Sequence, residues 1–160
     1  MVAPKLLLLA RLANIREDLK EVVDRLDDAM LEWAPATGMR TISGQLVEIA
    51  ITEIQVMGRL QGLTWIPDDE LVQTIGDLGS LDNLWSFLTS ARADTIAILD
   101  RMSDEELEAD AGIKLGSGGY DVPYFPRSEV FRKIIEHEAY HVGQLTSYLW
   151  AYGDDPYAWP

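Results

Sequence analysis

Apolar residues recur at every third or fourth position through most of this sequence, which predicts helices with one buried side. The first apolar stripe runs from Leu8 to Ala29, and a proline in residues 33–35 (WAP) should end that helix. The second stripe runs from Ile42 to Leu60, and either Thr41 or Ser43 can cap its first turn. Two long helices are therefore expected in this part of the chain.

Two further stripes lie in the second half of the sequence. One runs from Leu81 to Met102 behind a cap at Ser80, and the last runs from Val130 to Tyr152 behind a cap at Ser128. Between them, residues 103–106 (SDEE) have the pattern of a capping box, which predicts one more short helical turn.

The connections between the four stripes differ in length and composition. Residues 64–79 are long enough to carry the chain along a whole bundle, which permits two consecutive helices to run parallel. Residues 108–127 are rich in glycine and proline, and there residues 113–115 could pair with residues 120–125 as a small hairpin. The sequence thus predicts an all-α four-helix bundle, with residues 1–160 forming a single domain.

Charge and cysteine content narrow the range of functions. The 160 residues include 13 Lys and Arg against 27 Asp and Glu, a net charge of −14, which should repel nucleic acids and anionic membranes. The absence of cysteine excludes disulfides, thiolate metal sites and a cysteine nucleophile. The apolar run at residues 6–10 is too short for a signal-peptide core, so we expect a soluble cytoplasmic protein.

The chain has two histidines, and they are four residues apart on the last predicted helix. His137 and His141 both fall on its apolar stripe, and this spacing places the two rings on one face, about 6 Å apart. Buried imidazoles need polar partners, and one divalent metal ion would satisfy both. The alternative is a pair of core histidines that bond glutamate or tyrosine side chains of neighbouring helices.

Residues 137–141 (HEAYH) also match the His-Glu-x-x-His pattern of zinc proteases. That interpretation is disfavoured, because no glutamate follows in the short tail and Gln144 and Ser147 replace the glycine and histidine of one protease class. A ferritin-like two-metal site would need a second Glu-x-x-His on another helix, which the sequence lacks. A mononuclear site remains, with Glu48 or Glu53 of the second helix as the candidate third ligand.

Four segments together resemble the DinB/YfiT-like superfamily over nearly the whole chain. Residues 33–42 (WAPATGMRTI) are similar to the family's W-x-P-x-x-G-x-R-S-I, and residues 46–53 (LVEIAITE) to its L-x-H-I-A-x-x-E. Residues 137–145 (HEAYHVGQL) resemble H-x-x-x-H-x-G-Q-I/L, and residues 148–153 (YLWAYG) resemble Y-L-R-x-x-G. The ordered set is more specific than any one of its motifs.

The resemblance implies an up-down-down-up four-helix bundle with a long crossover between the second and third helices. It implies a metal held by one residue of the second helix and two of the last, which here are Glu48, His137 and His141. Glu48 stands where the family has histidine, which leaves two imidazoles and one carboxylate for Zn, Ni, Fe or Mn. The best understood members of the family use low-molecular-weight thiols, so the resemblance implies a thiol-dependent S-transferase or a hydrolase that acts on a small molecule.

Helix periodicity and the resemblance favour different third ligands. At about 100° per residue, the apolar centre of the second helix passes through Glu53, whereas Glu48 lies at its polar edge. Since an open metal site should lie at such an edge, we predict Glu48 as the ligand and Glu53 as a carboxylate that bonds one imidazole. Glu138 is the predicted general base and Tyr140 the predicted proton donor.

A non-catalytic function is the alternative hypothesis. In that case the protein would be a homodimeric, stress-related bundle with a weak or vestigial metal site. Four aromatic residues could then form a dimer face, although they could equally form a pocket wall: Trp65, Trp150, Tyr157 and Trp159.

Overall fold

The computed structural model describes residues 3–113 and 124–159, and over these residues the protein is all-α, as predicted. Short 3-10 turns occur at Asp28–Met30 and Pro156–Ala158. The α-helices are α1 (Pro4–Val23), α2 (Ile42–Leu60), α3 (Asp68–Ile75), α4 (Leu81–Arg101), α5 (Asp104–Glu108) and α6 (Arg127–Tyr152).

Helix α1 is shorter than its apolar stripe predicts. It ends at Val23, and the Asp27 side chain then accepts a hydrogen bond from the Met30 N–H at 3.1 Å to begin a 3-10 turn. This local side-chain bond competes with continuation of the helix. Leu26, before the turn, and Met30, within it, are still buried, but Ala29 is exposed, so the extension of the stripe to Ala29 was wrong.

Three of the predicted helix starts are confirmed and one is wrong. Thr41 caps α2, Ser80 caps α4, and residues 103–106 form the capping box of α5. Ser128, by contrast, is buried inside α6, which begins one residue earlier without a side-chain cap. The reason is that the Arg127 N–H already donates to the Ala109 carbonyl at 3.0 Å, which fixes the first turn of α6 from outside.

The predicted pairing of residues 113–115 with 120–125 lies largely outside the described residues. At the flanks that the structure does describe, Asp110 and Pro126 form an isolated antiparallel bridge. The Ala111 N–H donates to the Phe125 carbonyl at 2.8 Å beside it. This bridge ties the segment after α5 to the start of α6.

The long helices share two apolar clusters, one toward each end of the molecule. The first cluster is centred on Leu8, Leu12, Val56, Met57, Leu99, Val130 and Phe131, and the second on Leu19, Leu46, Leu84, Leu88, Leu145 and Leu149. Helices α1 and α6 pass from the first cluster to the second as the sequence advances, whereas α2 and α4 pass from the second to the first.

Helix packing brings the predicted ligand helices into direct contact. Helix α2 packs against both α4 and α6, and α1 packs chiefly against α6. None of the helices within the described residues is long and apolar enough to cross a lipid bilayer. Because α2 carries Glu48 and α6 carries His137 and His141, the candidate site lies at the interface of these two helices.

Candidate metal centre

Three predicted ligands meet at the interface of α2 and α6. Each of Glu48, His137 and His141 offers a ligand atom, and these atoms all lie within 4.8 Å of one another. The two imidazole Nε2 atoms are 3.2 Å apart, and the His141 Nε2 is 3.7 Å from the Glu48 Oε2. The spacing of four residues on α6 brings the rings together, and the polar edge of α2 supplies the carboxylate.

These distances fit a single metal ion. Two ligand atoms that each lie about 2.1 Å from a tetrahedral ion should be roughly 3.4 Å apart. The observed separations of 3.2 Å and 3.7 Å lie on either side of that value. Two imidazole nitrogens and one carboxylate oxygen are also a donor set that suits zinc and its first-row neighbours.

A hydrogen-bond network fixes the orientation of the His141 ring. The buried Gln45 side chain of α2 bonds the His141 Nδ1 through its Oε1, and its Nε2 donates to the Tyr148 hydroxyl at 3.4 Å. Tyr148 in turn donates to the Arg40 carbonyl at 3.0 Å. Because the Gln45 Oε1 is an acceptor, the His141 Nδ1 must carry the proton, which leaves the Nε2 lone pair directed at His137 and Glu48.

Both imidazoles are held in the neutral form that metal binding requires. Burial lowers the pKa of His141 to about 4, with further lowering by the nearby His137 and Arg40. Burial and Arg40 also lower the pKa of His137, against a smaller opposing effect of Glu53. Neither nitrogen must therefore lose a proton to bind a metal at neutral pH.

The metal-free protein should lose stability as the pH falls from 6.5 to 4. In this range the unfolded chain protonates His141 and the folded protein does not, so the free energy of unfolding should fall by up to about 3 kcal/mol. Urea unfolding in the presence of a chelator measures this change, and the His141→Gln variant removes the titrating group. The stability advantage of the wild type over that variant should shrink as the pH falls. An advantage independent of pH would contradict the buried neutral state of His141.

Two of the three candidate ligands, Glu48 and His141, line a cleft of about 540 Å³. Tyr140 lies at this cleft and is 63% exposed. Its ring meets the His141 ring edge-on, with the two ring centroids 5.5 Å apart. A small molecule can therefore approach Glu48 and His141 from solvent. The residues that line the cleft are Gly38, Met39, Arg40, Gln45, Glu48, Tyr140, His141, Gln144 and Tyr148.

Glu53 and Glu138 lie elsewhere, in a buried ion cluster that we call the quartet: Arg16, Glu53, Arg92 and Glu138. Each of the four long helices contributes one member, and the two carboxylates are almost completely buried. From the sequence, Glu53 was expected to bond an imidazole and Glu138 to act as a general base. The structure instead pairs both carboxylates with arginines, because a carboxylate at the apolar centre of its helix needs a cation there.

The quartet is densely bonded. Glu53 Oε1 accepts from Arg92 Nε at 2.7 Å, and Glu53 Oε2 accepts from Arg16 Nη2 at 3.2 Å. Glu138 Oε1 lies 2.8 Å from Arg16 Nε, and Glu138 Oε2 pairs with Arg92. The arginines also donate to backbone carbonyls, Arg16 to Leu88 and Arg92 to Leu12. Burial raises the pKa of the Glu138 carboxyl, and the two arginines act in the opposite direction.

Three residues of the site and the quartet were not identified from the sequence: Gln45, Arg16 and Arg92. For Gln45 and Arg92, the position in the apolar pattern indicates a buried polar side chain. Gln45 lies three residues after Ile42, on the buried side of α2, where an amide must find polar partners. Arg92 lies four residues after the buried Leu88, so it too falls on a core-facing position. Buried cations at such positions could have been matched to the buried carboxylates, but the pairing itself depends on how the helices pack.

Comparison with known proteins identifies the family of this chain. A family-wide sequence profile described as DinB superfamily matches residues 11–145, and the chain belongs to that superfamily. No curated protein matches the sequence significantly.

Two solved structures share the fold. A conserved protein from Enterococcus faecalis is similar with a TM-score of 0.70 and 15% identity, over 94% of this chain and 98% of that one. The colibactin self-resistance protein ClbS, solved in complex with a dsDNA, is similar with a TM-score of 0.66 and 13% identity, over 89% and 94%. At such low identity, these likenesses concern the fold alone.

Proposed function

We propose that this protein is a divalent-metal-dependent enzyme whose small-molecule substrate binds in the cleft between α2 and α6. The observation that carries the proposal is the convergence of three ligand atoms, from Glu48, His137 and His141, beside an open cleft. We further propose a thiol-dependent S-transfer or a hydrolysis as the reaction. The chain has no cysteine, which suits a reaction whose nucleophile is a thiol cosubstrate or water.

The residues of the site would have three roles: metal binding, orientation of a ligand and proton donation. His137, His141 and Glu48 would hold a Zn, Ni, Fe or Mn ion, which when bound lowers the pKa of a thiol or water. Gln45 keeps the His141 tautomer and ring orientation correct. Tyr140 lies at the rim, where its hydroxyl can donate a proton to a leaving group. Glu138 is excluded from this scheme because it is fully buried in the quartet.

We also infer that the bundle is up-down-down-up and that residues 1–160 form one domain. The opposite order in which α1 and α6, compared with α2 and α4, visit the two apolar clusters supports this inference. The connection that contains α3 then provides the crossover between the parallel helices α2 and α4.

Replacing Glu48 should test the third ligand. We expect Glu48→Ala to weaken Ni²⁺ binding tenfold or more in calorimetric titrations, because one of three ligands is lost, and Glu48→His to retain binding. Glu21→Ala, which removes an exposed carboxylate of α1, is the control for the change in charge. Unchanged affinity in Glu48→Ala would remove Glu48 from the site.

A non-catalytic, homodimeric stress protein is the second candidate. Exposed apolar side chains after α2 favour it, since Leu63, Trp65 and Ile66 are 63%, 43% and 44% exposed and could form a dimer face. Cytoplasmic location and the absence of a nucleic-acid partner stay predictions. The net charge of −14 supports the second of these, whereas the dsDNA complex of ClbS shows that a protein of this fold can bind DNA.

A further inference from the structure

Arg40 supplies the positive charge of the cleft. Among the described residues that line the cleft, Arg40 is the permanent cation and Glu48 is the carboxylate. The Arg40 side chain is 51% exposed and pairs with Glu48 Oε2. The hydrogen bond from Tyr148 to the Arg40 carbonyl anchors the backbone of Arg40 beside the cleft.

The ion pair of Arg40 uses the same carboxylate oxygen that faces the histidines. Glu48 Oε2 contacts Arg40 and is also 3.7 Å from the His141 Nε2. A divalent ion held by the three ligands would compete with the guanidinium for this oxygen. Metal binding would therefore weaken this ion pair, and the guanidinium of Arg40, whose side chain is 51% exposed, could then bind an anion in the open cleft.

We propose that Arg40 binds the anionic oxygens of the substrate, and that the substrate is a small organic anion with a carboxylate or phosphate group. This inference rests on the proposed metal site. With both imidazoles neutral, a divalent ion, Glu48 and Arg40 together leave a net positive charge in the cleft of a strongly acidic protein. Such a local field attracts anions, and the planar guanidinium can bind a carboxylate or phosphate through two parallel hydrogen bonds.

The rim of the cleft fits an organic anion better than an inorganic one. Met39 is 45% exposed and Tyr140 is 63% exposed, and both line the same cleft as Arg40. A thioether and an aromatic ring can cover an apolar group of a ligand whose charged end meets the guanidinium. Benzoate should therefore bind more tightly than inorganic phosphate.

The test compares Arg40→Gln with the wild type in two titrations. First, Ni²⁺ should bind Arg40→Gln several-fold more tightly, because a competing cation has been removed. Second, in the Ni²⁺-loaded proteins, benzoate and inorganic phosphate should each bind Arg40→Gln about tenfold or more weakly. Arg40→Lys should show an intermediate loss for the anions, and Arg11→Gln, which removes an exposed cation of α1, should match the wild type.

The two titrations distinguish a failure of the metal site from a failure of anion binding by Arg40. Failure of the wild type to bind Ni²⁺ would overturn the proposed metal site and this inference with it. Ni²⁺ binding combined with equal anion affinities in the wild type and Arg40→Gln would overturn this inference alone. Equal anion binding by metal-free and Ni²⁺-loaded wild type would also overturn it, since the weakening of the Arg40–Glu48 ion pair by the metal would then have no effect on the anion. Tighter binding of phosphate than benzoate would overturn the choice of an organic anion.

Discussion

Replacing Arg92 by methionine should lower the free energy of unfolding by about 3–5 kcal/mol, which urea unfolding measured by circular dichroism can detect. Arg92 pairs with both Glu53 and Glu138, and all three side chains are buried. Its loss leaves two buried carboxylates with Arg16 as their remaining partner in the quartet. It also removes the hydrogen bond to the Leu12 carbonyl.

Two further variants separate this effect from a general loss of charge. Lys20→Met breaks an exposed ion pair with Asp24 and should cost no more than about 1 kcal/mol. The double variant Arg92→Met with Glu53→Met should cost less than the sum of its single variants, because it leaves Arg16 matched with Glu138. A loss below about 1 kcal/mol for Arg92→Met would show that the quartet does not hold the helices together.

Adding Ni²⁺ or Zn²⁺ to metal-free protein should raise its melting temperature, and His141→Ala should abolish the rise. A ligand at 100 times its dissociation constant stabilises the folded state by about 2.7 kcal/mol. In a domain of this size that corresponds to roughly 5–10 °C. His141 provides a ligand atom whose orientation is fixed by Gln45, and its removal leaves two of the three ligands.

Tyr140→Phe is the matched control for this experiment. It changes a neighbouring residue of the same helix turn, at the same cleft, without removing a ligand atom. The metal-induced rise in melting temperature should therefore be retained. An equal rise in His141→Ala would place the metal effect at another site of the protein.

The position of Glu53 shows what a periodic pattern can and cannot predict. The pattern places Glu53 at the apolar centre of α2, and in the structure its side chain is indeed 1% exposed. The pattern does not identify the partner, because Arg16 and Arg92 come from helices that are distant in sequence. An imidazole was the partner expected for Glu53 from the sequence. In the folded protein, packing of the long helices instead places the guanidinium groups of Arg16 and Arg92 beside it.

The amino-acid sequence by itself determined the all-α class, most of the helix starts and the two histidines on one face of α6. These features depend on contacts between residues a few positions apart, such as the caps at Thr41 and Ser80 and the spacing of four between His137 and His141. Tertiary structure alone decided which side chains meet across helices. It places Gln45 beside the ring of His141, and Glu53 and Glu138 in the quartet, whereas the grouping of Glu48 with the histidines was already implied by the family resemblance. The physical reason is that the partner of a buried polar group depends on how whole helices pack together, and the periodicity of a single helix does not predict that packing.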